Sequence, residues 1–157
     1  MATCARVTGS FFTTPLLLVL LGGGGVGLGF LHAEKVNMPP AALKKTATHV
    51  IVGEVAQIYE RKEVSEEWNT TYYLAEVRIK EVEKGDGIKP EELVYVRYWN
   101  RSRMPNRPLR PDTNGHRGLP TKGETLRIYL ARNAYNGFGS TNDGGFDVIG
   151  ANGFEKL

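Results

Sequence analysis

The chain has 157 residues, of which 24% are charged, and a formal net charge of +3. This length fits one domain with a targeting segment, and the net charge is too small to define a class of partner. Its single cysteine, Cys4, excludes a disulfide framework within the chain and a cysteine-based metal or redox site.

The amino terminus has the pattern of a signal peptide. Residues 7–31 carry no charge, follow Arg6, and contain the apolar run Leu16–Leu21. A basic residue, an apolar run and a small residue at the cut form the usual order of such a peptide. We therefore expect residues 1–33 to be removed by cleavage after Ala33, leaving a secreted or periplasmic domain.

A membrane anchor is the alternative for the same segment. An uncharged stretch of this length can cross the roughly 30 Å hydrocarbon core of a bilayer. However, Gly22–Gly25, Gly27 and Gly29 interrupt it, and glycine has a poor helix propensity. The glycines favour cleavage over an anchor through residues 7–31, and the domain would be exported in either case.

Residues 34–47 are predicted to form a linker and a short helix, because Pro39 and Pro40 precede an Ala-Ala-Leu-Lys-Lys run and proline is favoured in the first turn of a helix. β-branched and alternating patterns then predict five strands. Gly53 lies inside the first strand and indicates a bulge or a bend there. The predicted strands are Thr48–Tyr59, Thr70–Val82, Leu93–Trp99, residues 126–132 and Phe146–Ile149.

A basic, proline-rich loop is predicted over residues 100–123. It contains four prolines, so it is not a regular strand or helix throughout. Between Arg97 and Lys122 there are basic residues at seven positions and one acidic residue, Asp112. Guanidinium groups presented on such a loop suit carboxylate, sulfate or phosphate ligands. The plainer explanation is a solvated loop whose charge offsets the acidic strands.

The candidate ligand-binding residues are the cations of this region and the tryptophan and histidine beside them. They are Arg97, Trp99, Arg101, Arg103, Arg107, Arg110, His116 and Arg117. Aromatic residues such as Tyr95, Tyr98, Trp99 and Tyr129 offer stacking surfaces for sugars or bases, although a place in the core is the better explanation for any single one of them.

Three segments of the chain resemble a known family of folds. Thr48–Val55, Ala75–Gly85 and Lys122–Leu130 resemble the pattern of tissue-inhibitor-of-metalloproteinase-like and netrin-like domains, which are five-stranded barrels of the oligonucleotide/oligosaccharide-binding (OB) type. The resemblance implies an all-β fold with minor α content: an OB-like barrel over residues 48–157 with a short helix before it. It implies no inhibition of metalloproteinases, because the family's N-terminal cysteine and disulfides have no counterpart after Ala33.

Catalysis has little support in the sequence. After Ala33 the only histidines are His49 and His116, too few for a zinc site, and no nucleophile motif is present. His116 lies near Asp112, so a hydrolase that uses these two residues stays an alternative. We predict no metal and no cofactor.

These observations predict a non-enzymatic, exported binding module of the cell envelope or extracellular space. Its partner would be an envelope or extracellular protein. The alternative ligand is an anionic polymer, namely an acidic glycan or a single-stranded nucleic acid, held by the arginines. Export makes nucleic acid the less favoured polymer. A membrane would be a partner only if the N-terminal segment stays uncleaved.

Overall fold

A computed structural model describes residues 35–104, 113–132 and 145–157 of the chain. In these ranges one short helix, α1 (Pro40–Thr46), is followed by seven strands. The prediction of an all-β protein with a short N-terminal helix is therefore confirmed. The strands are β1 (His49–Val64), β2 (Trp68–Lys84), β3 (Leu93–Arg103), β4 (Thr113–Gly115), β5 (Thr125–Arg132), β6 (Phe146–Val148) and β7 (Phe154–Lys156).

Five of these strands pair in a closed ring. Their order is β1-β2-β3-β6-β5, and β5 pairs with β1 to complete the circuit. The pairing of β3 with β6 is parallel, whereas the other pairings of the ring are antiparallel. The short strands β4 and β7 lie beside β3 and β5 respectively. These two strands account for the difference between the five strands predicted and the seven observed.

The first strand bends as its glycine predicts. The pairing of β1 with β2 shifts register between Val52 and Gly53. A Cβ atom on Gly53 would clash with Cγ1 of Val77 on β2, so only glycine allows this close approach.

The predicted loop over residues 100–123 is wrong at its start, because β3 continues through Arg103. Asn69, Thr70 and Thr71 of β2 pair with residues 102, 101 and 100 of β3, and this ladder of backbone hydrogen bonds keeps the segment extended. Asn100 also pairs with Gly115 of β4. Residues 105–112 lie outside the described ranges.

Two apolar clusters hold the domain together. The larger lies inside the ring and includes Ile51, Val77, Val96, Ile128 and Val148, all with no exposed surface. Full burial of such a side chain stabilises the fold by about 1.5–3 kcal/mol. The smaller cluster joins α1 to the outside of the ring, and consists of Leu43, Ala47, Val50 and Tyr129.

Within the three described ranges, no helix has both the length and the apolar character needed to cross a bilayer. The expected signal peptide (1–33) and the alternative anchor (7–31) lie outside these ranges.

Candidate functional site

Aromatic and cationic side chains lie in the C-terminal half of β1, the N-terminal part of β2 and the C-terminal part of β3, at positions that pair with one another across the sheet. Trp68 pairs with Arg103, Thr70 with Arg101, and Tyr72 with Trp99. Tyr72 also pairs with Arg61 on β1. Since directly paired residues lie on the same face of a sheet, they form one surface. We call it the cation–aromatic face, and it comprises Arg61, Trp68, Tyr72, Trp99, Arg101 and Arg103.

Arginine side chains stack on the rings of this face. The Cζ atom of Arg101 lies 4.4 Å from the ring centroid of Trp68 and 5.7 Å from that of Trp99. The Cζ atom of Arg103 lies 5.7 Å from the Trp68 centroid. These distances are within the range of cation–π attraction, which is about 0.5–1 kcal/mol at exposed sites. The rings therefore hold both guanidinium groups in place.

Arg61 and Arg101 differ in their acidic partners. The guanidinium of Arg61 lies over Tyr72, with Cζ 5.0 Å from the ring centroid, and its Nη2 lies 3.1 Å from a carboxylate oxygen of Glu63. Arg101 has no salt bridge within the described ranges, and its buried Nε has no hydrogen-bond partner there. A stacked guanidinium keeps the donors along its edge directed outward in a planar fork, which matches carboxylate, sulfate and phosphate groups.

Arg97 and Trp99, two of the candidate ligand-binding residues, are buried. Arg97 is 6% exposed and Trp99 is 8% exposed. The Nη1 atom of Arg97 lies 3.8 Å from Oδ2 of Asp147 on β6, the strand that runs parallel to β3 at this point. Arg97 therefore neutralises a buried carboxylate, and Trp99 offers only a small part of its ring to a ligand.

His116 is a buried structural residue. Its exposure is 3%. Its Nδ1 lies 3.1 Å from the backbone nitrogen and 2.9 Å from the backbone oxygen of Trp99, and its Nε2 lies 2.9 Å from the backbone oxygen of Val148. A neutral ring with its proton on Nε2 accepts from the Trp99 amide and donates to the Val148 carbonyl, and the Trp99 oxygen accepts a hydrogen bond from the backbone nitrogen of His116 at 2.8 Å. Burial, which disfavours the charged form, and the nearby Lys35 together lower the pKa of His116 to about 4.

Arg117 lies apart from the cation–aromatic contacts. It borders a cleft of about 250 Å³, which is also lined by Asn100, Asn114, Gly115, His116, Gly118 and Leu119. The main chain of Arg117 is held by a hydrogen bond from its nitrogen to the oxygen of Ala151, and its side chain is exposed.

The described ranges therefore bring two of the predicted cations, Arg101 and Arg103, onto one half-buried face, and place Arg97, His116 and Arg117 elsewhere. Arg107, Arg110 and Asp112 lie outside the described ranges. No group of three or more histidine, cysteine, aspartate or glutamate side chains suited to a metal ion is present within those ranges.

Sequence reasoning missed Arg61, Trp68 and Tyr72, because it searched for the ligand site in the basic loop. The sequence signal is that aromatic or polar residues recur at every second position in two segments, namely Trp68, Thr70 and Tyr72 in one and Trp99, Arg101 and Arg103 in the other. These two sets can be assigned to one surface only when the register of β2 against β3 is known.

Comparison of the chain with protein-family models, with curated protein sequences and with solved structures finds no match.

Proposed function

We propose that this protein is an exported, non-enzymatic binding module that holds an acidic polymer on its cation–aromatic face. The polymer is an acidic glycan rather than a single-stranded nucleic acid, because the signal-peptide pattern over residues 1–33 directs the domain out of the cytoplasm.

One observation carries this proposal. The guanidinium of Arg101 is stacked on Trp68 and Trp99 and has no acidic partner within the described ranges. By contrast, ion pairs engage other charged residues of the same sheet, such as Lys62, Lys80 and Arg127. A cation that is held in place by rings and is not neutralised by a neighbouring carboxylate is suited to an external anion.

The strand order supports the finer proposal of an OB-like barrel. The ring β1-β2-β3-β6-β5 contains five strands, and β6 lies between β3 and β5, as a Greek-key connection requires. OB folds bind oligosaccharides and oligonucleotides on the face of their second and third strands and on adjoining loops. The cation–aromatic face lies mainly on β2 and β3, close to the turn that joins β1 to β2.

The hydrolase alternative has less support. A general base needs a free lone pair within hydrogen-bonding reach of the substrate. The Nδ1 lone pair of His116 faces the amide of Trp99, and Nε2 faces the carbonyl of Val148. Catalysis by this histidine would first require it to leave both partners.

The experiment is retention of the purified protein on immobilised heparin, an acidic glycan, across a salt gradient. The double variant Arg101→Ala and Arg103→Ala removes two cations of the face. The matched control is the double variant Lys45→Ala and Lys89→Ala at two exposed lysines, which changes the net charge by the same amount. We expect the arginine variant to elute at clearly lower salt, with an affinity reduced about tenfold or more, because charge-assisted hydrogen bonds are lost.

Arg101→Lys separates geometry from charge. Lysine keeps the positive charge and loses the planar fork that stacks on indole, so we expect an affinity between those of the native protein and Arg101→Ala. Equal retention of the arginine variant and the lysine control would contradict the proposal. It would leave the envelope or extracellular protein partner as the surviving hypothesis for this module.

A further inference from the structure

A second group of exposed side chains lies on the same sheet, closer to the ring. Tyr59 on β1 is 50% exposed and Tyr95 on β3 is 51% exposed. Glu76 of β2 pairs directly with Tyr95, and its Oε1 accepts a hydrogen bond of 3.3 Å from the Tyr59 hydroxyl. One carboxylate is therefore flanked by two exposed phenol rings, and Leu74, which pairs with Tyr59, lies next to it along β2.

The spacing of the strands leaves room between the two rings. Tyr59 and Tyr95 belong to the strands on either side of β2, so their main chains are separated by two strand spacings, or about 10 Å. Their partners on β2, Leu74 and Glu76, are two residues apart, which staggers the rings by about 7 Å along the strand. A cation bound at the Glu76 carboxylate would therefore have a tyrosine on the strand at either side of β2, and cation–π contact needs a ring centroid within about 6 Å.

Glu76 differs from most of the acidic residues on β1 and β2, although the exposed Glu81 of β2 likewise has no ion pair within the described ranges. Glu54, Glu60, Glu63 and Glu83 each form an ion pair with a lysine or an arginine. Glu76 is half-buried and has no ion pair within the described ranges, where its hydrogen-bond partner is the Tyr59 hydroxyl.

Nearby cations have other acceptors. Nη1 of Arg78 donates to the backbone oxygen of Glu91 at 3.3 Å, and Nζ of Lys122 donates to Oε1 of Gln57 at 2.8 Å. The carboxylate of Glu76 thus keeps its charge available to an incoming group.

We propose that Tyr59, Glu76 and Tyr95 form a binding site for an alkylammonium group. The carboxylate supplies the opposite charge, and the faces of the two phenol rings supply cation–π attraction to the methyl or methylene groups around the nitrogen. The site lies six residues along β2 from Thr70, the partner of Arg101, or about 20 Å. It therefore binds a different ligand group from the cation–aromatic face and does not depend on the function proposed for that face.

The test is a titration of the protein with choline, followed by nuclear magnetic resonance of the tyrosine rings and of the backbone amides. Its matched control is 3,3-dimethylbutan-1-ol, the uncharged isostere of choline. We expect choline to shift the signals of Tyr59, Glu76 and Tyr95 in a saturable manner, and the isostere to shift them much less. Butylammonium in a parallel titration distinguishes a lysine-like ligand from a quaternary one, and saturable binding of either supports the site.

Variants assign the contributions of the three side chains. Glu76→Gln removes the charge and keeps the shape, and we expect choline affinity to fall about fivefold or more; we expect Tyr95→Ala to weaken it about two- to fivefold. Arg101→Ala should leave choline binding unchanged, even though it weakens heparin retention. Unchanged amide signals away from the site will show that each variant is folded. Equal shifts from choline and its isostere, or no shift from choline and butylammonium, would overturn the proposal.

Discussion

At the scale of single residues, the carbonyl of Val148 bonds to two basic side chains. It accepts a hydrogen bond from Nε2 of His116 at 2.9 Å and another from Nζ of Lys35 at 2.7 Å. Burial lowers the pKa of Lys35 to about 8, although the nearby Asp147 carboxylate opposes that shift. At neutral pH His116 is therefore uncharged, whereas Lys35 stays mostly protonated and its positive charge contributes to the lowered pKa of His116.

The neutral state of His116 predicts an acid-sensitive fold. Its pKa is about 4 in the folded protein and 6.5 in the reference state, so the unfolded chain takes up a proton at a higher pH than the folded one. The stability that depends on neutral His116 is complete above pH 6.5 and decreases as the pH falls from 6.5 to about 4. The pKa difference corresponds to a loss of about 3 kcal/mol across that window.

Urea unfolding at several pH values between 7 and 4 measures this effect. In His116→Gln no group titrates at this position, so its stability should change much less between pH 6.5 and 5. The lowered pKa values of the Glu54, Glu124 and Glu155 carboxyls affect stability mainly at still lower pH, because their ordinary value is 4.5. Parallel pH profiles for the native protein and the variant would contradict a neutral, buried His116.

At the scale of secondary-structure elements, β4 lies against β3 because residue 115 is glycine. Gly115 has a φ of +112°, and a Cβ atom there would lie 2.6 Å from the backbone oxygen of Trp99. This contact is with backbone, which cannot rotate out of the way. The pairing of Asn100 with Gly115 thus depends on the missing side chain.

We predict that Gly115→Ala destabilises the protein by clearly more than Gly123→Ala. Gly123 also has a positive φ, +83°, but a Cβ atom there would meet nothing within 4 Å. The control therefore carries mainly the backbone strain of an L-residue in that conformation, about 1–2 kcal/mol, whereas Gly115→Ala adds the steric clash. Thermal unfolding of both variants compares them, and equal midpoints would show that β4 tolerates a side chain at this position.

The C-terminal half of β1 is an edge of the sheet whose charged side chains oppose pairing with another chain. The pairing of β1 with β5 ends at Glu54, so in the described structure residues 57–64 pair with β2 alone. Alternating ion pairs run along this edge, from Lys62 to Glu60 at 3.2 Å and from Arg61 to Glu63 at 3.1 Å. Charged side chains on an edge strand oppose pairing with another chain.

Replacing two of these charges should expose the edge. We predict that the double change Glu60→Val and Lys62→Val, which preserves net charge, promotes self-association, seen as a larger mass in light scattering at increasing concentration. Arg78→Val is the control, since Arg78 of β2 is exposed but pairs with Glu54 on β1 and with Leu93 on β3, so that residue offers no open backbone. A double variant that remains monomeric at the highest concentration would contradict the role assigned to these charges.

At the scale of the whole molecule, the segment that follows the predicted cleavage site is bound to the domain. The backbone nitrogen of Lys35 donates to Oδ1 of Asn114 at 3.1 Å. The amide of Asn152 bonds the main chain of Met38 in both directions, at 2.9 Å each. Lys35 and Met38 are therefore part of the folded structure, and a cut beyond Met38 would remove these bonds.

We predict that the exported protein begins at Glu34. Intact mass measurement of protein recovered from the medium or the periplasm, with N-terminal peptide sequencing, tests the cut after Ala33. A protein recovered in the membrane fraction with its first 33 residues present would instead support the anchor through residues 7–31.

Much of the fold could be predicted from local patterns, whereas the site could not. The alternation of Ala75, Val77 and Ile79 with charged residues identified β2, and the glycine at 53 located the register shift in β1, since both features depend on neighbours within a few positions. The end of the third strand was misjudged. Arg101 and Ser102 have no strand pattern of their own, and they are extended because β2 and β4 pair with them on either side.

The amino-acid sequence was enough to predict a mostly β protein with one short helix, because alternation and turn residues act over short distances along the chain. Which arginines face outward could be seen only in the folded structure. Arg97 and Arg101 are four residues apart on one strand, yet Arg97 is buried beside Asp147 whereas Arg101 lies over Trp68. Those partners come from distant parts of the chain, and the free energy of a charged side chain depends on the groups that folding brings next to it.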